Sequence, residues 1–317
     1  GLLLLVSFMG VAQVQGPPAD HNHEIQSEPP SREVVDSLIL ATAVPLEQAE
    51  KFGHLVIQDD GGRMKPINTF SSELLRKLSF RDDYKGLSPD QVLLSMMMQP
   101  RLWTLAEFIA LDKKSQNDSI REIIGVAGDQ KYVRLIDFID PQGRNKLDPV
   151  LQEAFATNTP NKFQQDFKDA YFRLSLLNRA LSGEILRIFP LPNDENNKWV
   201  SAREFRSGRF PVPDSLYANF IDKAVPFYMM SLQQGTATGN YVQADSLLAS
   251  FHTNQKRMGS EVLPEQEKVK AEVIYNKLDI FNRLYKYYAL VGVLMFFVLI
   301  FRIFRDRKIW DVITYFL

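Results

Sequence analysis

The sequence predicts a mainly α protein with one or two short β elements, built as an extracytoplasmic domain between two membrane anchors. Three observations predict it. Near the C-terminus, Tyr287 to Phe301 contains no charged side chain. With its flanks, Leu284–Lys286 and Ile303–Phe304, this run reaches the roughly 20 apolar residues that a helix needs to cross a bilayer. At the other end, Leu2–Val14 is apolar apart from Ser7 and Gln13. Between the two lies a polar stretch whose apolar residues recur at helical spacing, with Phe163, Phe167, Ala170, Leu174, Leu177 and Leu181 on one stripe.

The expected organisation follows in chain order. Residues 1–15 are the end of a transmembrane helix or a signal-like segment, since both readings fit an apolar run without a basic start. Residues 16–44 form a linker rich in Pro and polar residues, then a short helix from Val34. Residues 45–282 form the domain. Pro45 opens a helix that Gly53 closes. His54–Gln58 is β-branched and runs into Asp59-Asp60-Gly61-Gly62, which reads as a strand and a tight turn. Ile67–Leu78 is an amphipathic helix with Thr69 as its expected N-cap. Ser88-Pro89-Asp90 starts another, followed by Pro100, and the Met96–Met98 run within it reads as core packing.

Lys131–Ile139 is a strand or a short helix, Asp148–Phe155 and Asn161–Leu181 are helices, and Glu184–Phe189 is a strand candidate. Asp214–Gln234 and Asn240–Arg257 are helices separated by a Gly235–Gly239 turn, with Pro226 kinking or ending the first. Pro264 opens a last helix expected to run unbroken into the membrane helix, residues 283–305. Residues 306–317 form a cytoplasmic turn, with Trp310–Leu317 as the start of a further membrane helix. Arg302, Arg305, Arg307 and Lys308 follow the apolar run, so the cation rule puts them inside and residues 17–282 outside. The chain thus reads as the external loop domain of a polytopic membrane protein.

Composition excludes several functions. Lys and Arg number 37 against 38 Asp and Glu, a net charge of -1, so nucleic acid has little electrostatic purchase. The chain contains no cysteine, which removes disulfides, thiolate metal sites and thiol exchange. Its four histidines are His21, His23, His54 and His252, the first two in the linker. The strand-edge position of His54 suits a packed histidine, and His252 is expected on a helix surface. Asp59–Gly62 lacks the alternating oxygens and downstream Glu of a calcium loop. No nucleophile set, phosphate loop or metal spacing is present, so no catalytic or metal residue is assigned.

Three stretches carry a resemblance. They are Phe52–Thr69 (FGHLVIQDDGGRMKPINT), Pro89–Trp103, and Lys270–Lys277 (KAEVIYNK), which stands directly before the membrane helix. Together they resemble the extracytoplasmic domain and flanking membrane helices of the system II cytochrome c biogenesis proteins, in which a ResB-like part is fused to a CcsA-like haem-handling part. The motif positions are Gln58, Asp59, Gly62, Arg63, Pro66 and Thr69 in the first stretch, and Glu272, Tyr275 and Asn276 in the third. The resemblance implies a role in haem export and covalent haem attachment to apocytochrome c. The longer protein would be a holocytochrome c synthase, and this part its non-catalytic scaffold or apocytochrome-docking domain. It further implies apocytochrome c, haem, the lipid bilayer and the rest of the same protein as partners, with no nucleic acid. The location implied is a bacterial cytoplasmic membrane, with residues 17–282 on the periplasmic side. The family's Trp-rich loop and its flanking histidines have no counterpart here, because Trp103, Trp199 and Trp310 are scattered. Haem would be held by parts of the longer protein outside this chain. The contrasting reading is a membrane-anchored structural or sensor domain without a part in haem handling.

Overall fold

A computed structural model of the chain describes residues 30–111 and 117–304. The expectations for residues 1–15, for His21 and His23, and for Arg305 to Leu317 lie outside the described residues.

Helices α1 (Arg32–Ala41) and α2 (Leu46–Gly53) lead into β1 (Val56–Gln58), which pairs antiparallel with β2 (Met64–Pro66). Helix α3 (Ile67–Ser79) leaves β2 directly, because Pro66 holds the extended backbone that a helix start requires. Helix α4 (Pro89–Met98) begins with a reciprocal cap in which Ser88 and Gln91 each satisfy the other's backbone N–H. Next come α5 (Pro100–Leu105), β3 (Ile109–Ala110), α6 (Asn117–Ile124) and β4 (Tyr132–Val133), which pairs with β3. A 3-10 turn at Leu135–Phe138 precedes α7 (Asp148–Ala156) and α8 (Lys162–Leu181). Strands β5 (Phe189–Pro190) and β6 (Trp199–Val200) pair, and α9 (Ala202–Arg206), α10 (Ser215–Thr238), α11 (Val242–Met258), α12 (Gln266–Leu278) and α13 (Ile280–Phe304) complete the chain.

One hydrophobic core joins these elements. Phe52, Leu55 and Ile57 meet Leu74, Leu75 and Leu78 of α3, Leu93 and Met96 of α4, Phe167 and Leu177 of α8, and Tyr228 and Phe251. Met97 and Met98 pack against its edge, so the methionine run is core packing. Trp199 closes a smaller cluster with Val56 and Val269.

The mainly α class holds, but several local expectations do not. Among the described residues the strands form three short antiparallel pairs, more than one or two β elements. Glu184–Phe189 is turn and coil except for Phe189 itself, since its N–H groups from Glu184 to Ile188 bond locally and only the Arg187 carbonyl reaches a strand, accepting from the Gln58 N–H of β1 at 3.0 Å. Thr69 is not a cap. It lies inside the first turn of α3, where Pro66 holds the N-cap position. Gly235 is helical, and only Gly239, at φ 76°, ends α10. Pro226 neither ends α10 nor leaves the Asp222 carbonyl orphaned. That oxygen, denied a helical N–H by Pro226, accepts from the Arg206 guanidinium. Helices α5, α6 and α9 are short and were not foreseen, being too brief to show a full apolar period.

The last helix is also interrupted. Asp279 takes the left-handed conformation at φ 45° and ψ 47°, so α12 and α13 are separate helices rather than one continuous run. Among the described residues, one helix is long and apolar enough to cross a membrane. Leu284–Arg302 spans 19 residues at a mean hydropathy of 2.0 and is almost wholly unburied.

Candidate functional site

The first motif stretch builds a rigid hairpin. The Asp59 carboxylate accepts from the backbone N–H groups of Gly61 (2.9 Å) and Arg63 (3.0 Å), which fixes the turn. Gly62 sits at φ 82°, where a side chain would be strained. Lys65 is buried, and its ammonium lies 2.7 Å from Asp59 and 2.9 Å from Glu73. Burial opposes the charge on Lys65, yet the Asp59 and Glu73 carboxylates outweigh it and hold the ammonium above its ordinary pKa. Burial likewise works against the Asp59 carboxylate, while Lys65 and the Arg63 N–H hold it below the usual range. Gln58 reaches from the end of β1 to β6. Its side-chain oxygen accepts from the Trp199 N–H at 2.7 Å, and its amide donates to the Asn197 carbonyl at 3.1 Å. The other side of β1 is closed by Gln255, whose amide bonds both the N–H and the carbonyl of Val56 as a neighbouring strand would.

The third motif stretch, more than 200 residues away in sequence, closes on this hairpin. The Thr69 hydroxyl donates to Glu272 of α12 at 2.7 Å, and Arg63 approaches the same carboxylate oxygen at 3.5 Å. Asn276 donates to the Thr69 hydroxyl at 2.8 Å and to the Asn68 side-chain oxygen at 3.2 Å. Asn68 in turn donates to Asp90 at 2.8 Å, and Ser71 donates to the other Asp90 oxygen. A hydrogen-bonded chain thus runs from exposed Arg63 to the buried Asp90 carboxyl. Burial pushes the Asp90 carboxyl above the usual carboxylate range, against the pull of its Ser71 and Asn68 donors. Gly53 is required beside it, because a Cβ there would lie 2.5 Å from the Asp90 oxygen.

The structure therefore brings together Gln58, Asp59, Gly62, Arg63, Pro66, Thr69, Glu272 and Asn276. Tyr275 lies one residue before Asn276 on α12. It is partly exposed and lines a cleft of about 470 Å³ with Asn68, Asp90, Lys277 and Asp279, at the joint between α12 and α13. Sequence reasoning missed Asn68, Ser71, Lys65 and Asp90 as members. Asn68 and Lys65 lay inside the first quoted stretch and Asp90 inside the second, Pro89–Trp103, where it read only as a helix-start residue. Arg63 and Asn276 both engage side chains, Arg63 that of Glu272 and Asn276 those of Thr69 and Asn68. His252 is half-buried rather than on the surface, and it lines one small cavity with His54.

Chemically, the chain of donors and acceptors fixes geometry. Its polar groups are spent on one another, and it ties the segment leading into α13 to the centre of the domain. Among the described residues no group of three or more His, Asp or Glu side chains is placed to hold a metal ion.

No family model matches the chain. Over 254 residues, 78% of this chain, it is 29% identical to Protein NrfI of Wolinella succinogenes. The matched part is 26% of that protein, so the chain spans about a quarter of the length of the curated relative it matches.

Proposed function

We propose that this chain is the external domain and anchoring helix of a cytochrome c maturation protein, and that it acts as a scaffold that docks apocytochrome c or positions haem-handling parts of a longer protein. The observation that carries the reading is the closure of the two motif stretches into one clamp at the foot of the candidate membrane span. A domain that must hold a reaction partner at a fixed place relative to the bilayer needs such a rigid joint. The likeness to NrfI supports a role in cytochrome c maturation. The resemblance in the motif stretches extends this to the fused ResB and CcsA arrangement, with haem bound elsewhere in the longer protein. On this reading Leu284–Arg302 crosses the cytoplasmic membrane, residues 17–282 face the periplasm, and Gln58, Asp59, Arg63, Thr69, Glu272 and Asn276 serve architecture.

Two measurements test it. Removing the chain from its host should abolish haem-stained c-type cytochromes while b-type haem proteins persist; retained c-type cytochromes would sink the maturation role. The absence of cysteine makes topology readable. A cysteine replacing exposed Ser246 should react with a membrane-impermeant thiol reagent in whole cells, and one replacing Arg307 should not. The reverse pattern would overturn the orientation.

A further inference from the structure

A cavity of about 150 Å³ lies away from the clamp, between the end of α2, α11 and the first turns of α12. Four of its lining groups are basic or can become so: His54, His252, Lys256 and Lys270. No carboxylate lines it. Lys256 has no ion-pair partner among the described residues, and Lys270 meets only the exposed Glu267, at 3.6 Å. The remaining lining is Val56, Leu263, Pro264 and Val269 with the two amides of Gln255 and Gln266. His54 spends Nδ1 on the Glu50 carbonyl at 2.8 Å, so Nε2 is the nitrogen left for an occupant.

We propose that this cavity binds a small organic carboxylate with a compact apolar body. A pocket edged by cationic groups and walled by aliphatic side chains matches a molecule with one charged end and one greasy end. The volume equals about five waters' share of liquid, which limits the occupant to a few carbon atoms or one ring. A bare metal cation would face two ammonium groups without a carboxylate to offset them, which disfavours it. The carboxylate also changes the proton balance. His252 is faced by Lys256 on its own helix, by His54 from the end of α2 and by Lys270 from α12. Burial first, then Lys256 and His54, keeps its imidazole below the ordinary pKa. A bound anion offsets those cations, so binding draws a proton onto His252. This site stands apart from the maturation role and does not depend on it.

The test uses the whole chain in detergent, labelled with 13C at histidine. Only four histidines exist, so each resonance can be assigned with His54→Gln and His252→Gln. Benzoate should shift the His252 resonance toward the imidazolium position, perturb the His54 resonance, and leave His21 and His23 in place. Benzamide, of the same shape but neutral, should shift nothing. Binding should tighten as pH falls from about 7.5 to about 6. The exposed lysines offer variants that leave the fold intact. Lys256→Gln and Lys270→Gln should each weaken benzoate about threefold. Isovalerate against its amide tells whether a short aliphatic carboxylate is taken as well as an aromatic acid; either carboxylate binding through the two histidines supports the site. Equal shifts with benzamide, uniform shifts of all four histidines, or no response to either carboxylate would overturn it. So would zinc binding lost in both histidine variants while the carboxylates do nothing.

Discussion

Asn276→Ala is the sharpest perturbation of the clamp. The side chain donates twice, at 2.8 Å to Thr69 and 3.2 Å to Asn68, in a partly buried setting. Each such bond contributes about 0.5–1.5 kcal/mol net, and its loss leaves the Asn68 oxygen without that donor. Alanine recovers roughly 0.5 kcal/mol of helix propensity within α12. The balance is a loss of about 0.5–2.5 kcal/mol. Arg63 shares the same Glu272 carboxylate, but its side chain is 63% exposed and the pair is 3.5 Å apart. Such a pair is worth less than about 1 kcal/mol and often nothing measurable. The structure thus ranks Asn276 well above Arg63, although both are motif positions. Thermal unfolding of the whole chain in detergent measures this. For a domain of this size about 1 kcal/mol moves Tm by roughly 2–4 °C, so Asn276→Ala should lower it by about 1–10 °C and Arg63→Ala by under about 4 °C. A cycle with Thr69→Val should return a coupling of about 0.5–1.5 kcal/mol, because the two side chains share a bond. In cells, chain level and mature cytochrome c should fall together. An unchanged Tm with zero coupling would refute the clamp. Normal chain levels without cytochrome c would instead give Asn276 a direct part in the function.

Gly53→Ala should destabilise by about 1–3 kcal/mol through overpacking against Asp90, despite alanine's better helix propensity; a higher Tm would show that Asp90 has room to move. His252 titrates below the ordinary imidazole value in the folded state, so the unfolded chain binds its proton more tightly. Its contribution is therefore present above pH about 6.5 and lost as pH falls below it. Melting curves from about pH 8 to 5 should show that loss, and His252→Gln should flatten it; an unaltered slope in the variant would assign the effect elsewhere. Haem titration of the chain should give no stoichiometric low-spin Soret band. His54 and His252 do share a cavity, but at about 150 Å³ it falls well short of the roughly 300–1,000 Å³ of sites for larger ligands. A sharp band abolished by His54→Ala or His252→Ala would make the domain a haem carrier.

The long elements were legible in the sequence for a local reason. The α8 stripe from Phe163 to Leu181, the Ser88 and Asn161 caps and the apolar run of α13 are set by residues a few positions apart, whose energetics the chain carries with it. Among the two-residue strands, β4 fell within Lys131–Ile139, read as a strand or a short helix, but the β5–β6 pair was not legible, because Phe189–Pro190 becomes a strand only when Trp199–Val200 lies beside it. The site divides in the same way. Gln58 through Thr69 and Glu272 through Asn276 stood out as two separate patterns, yet nothing local says that they touch. Only the packed fold places Asn276 on Thr69, encloses Asp90 under Gly53, and brings His252 alongside His54. Those pairings are decided by burial. Once the core closes over α2, α3, α11 and α12, each polar group near it must find a partner across the gap, and that choice depends on tertiary distance rather than on sequence spacing.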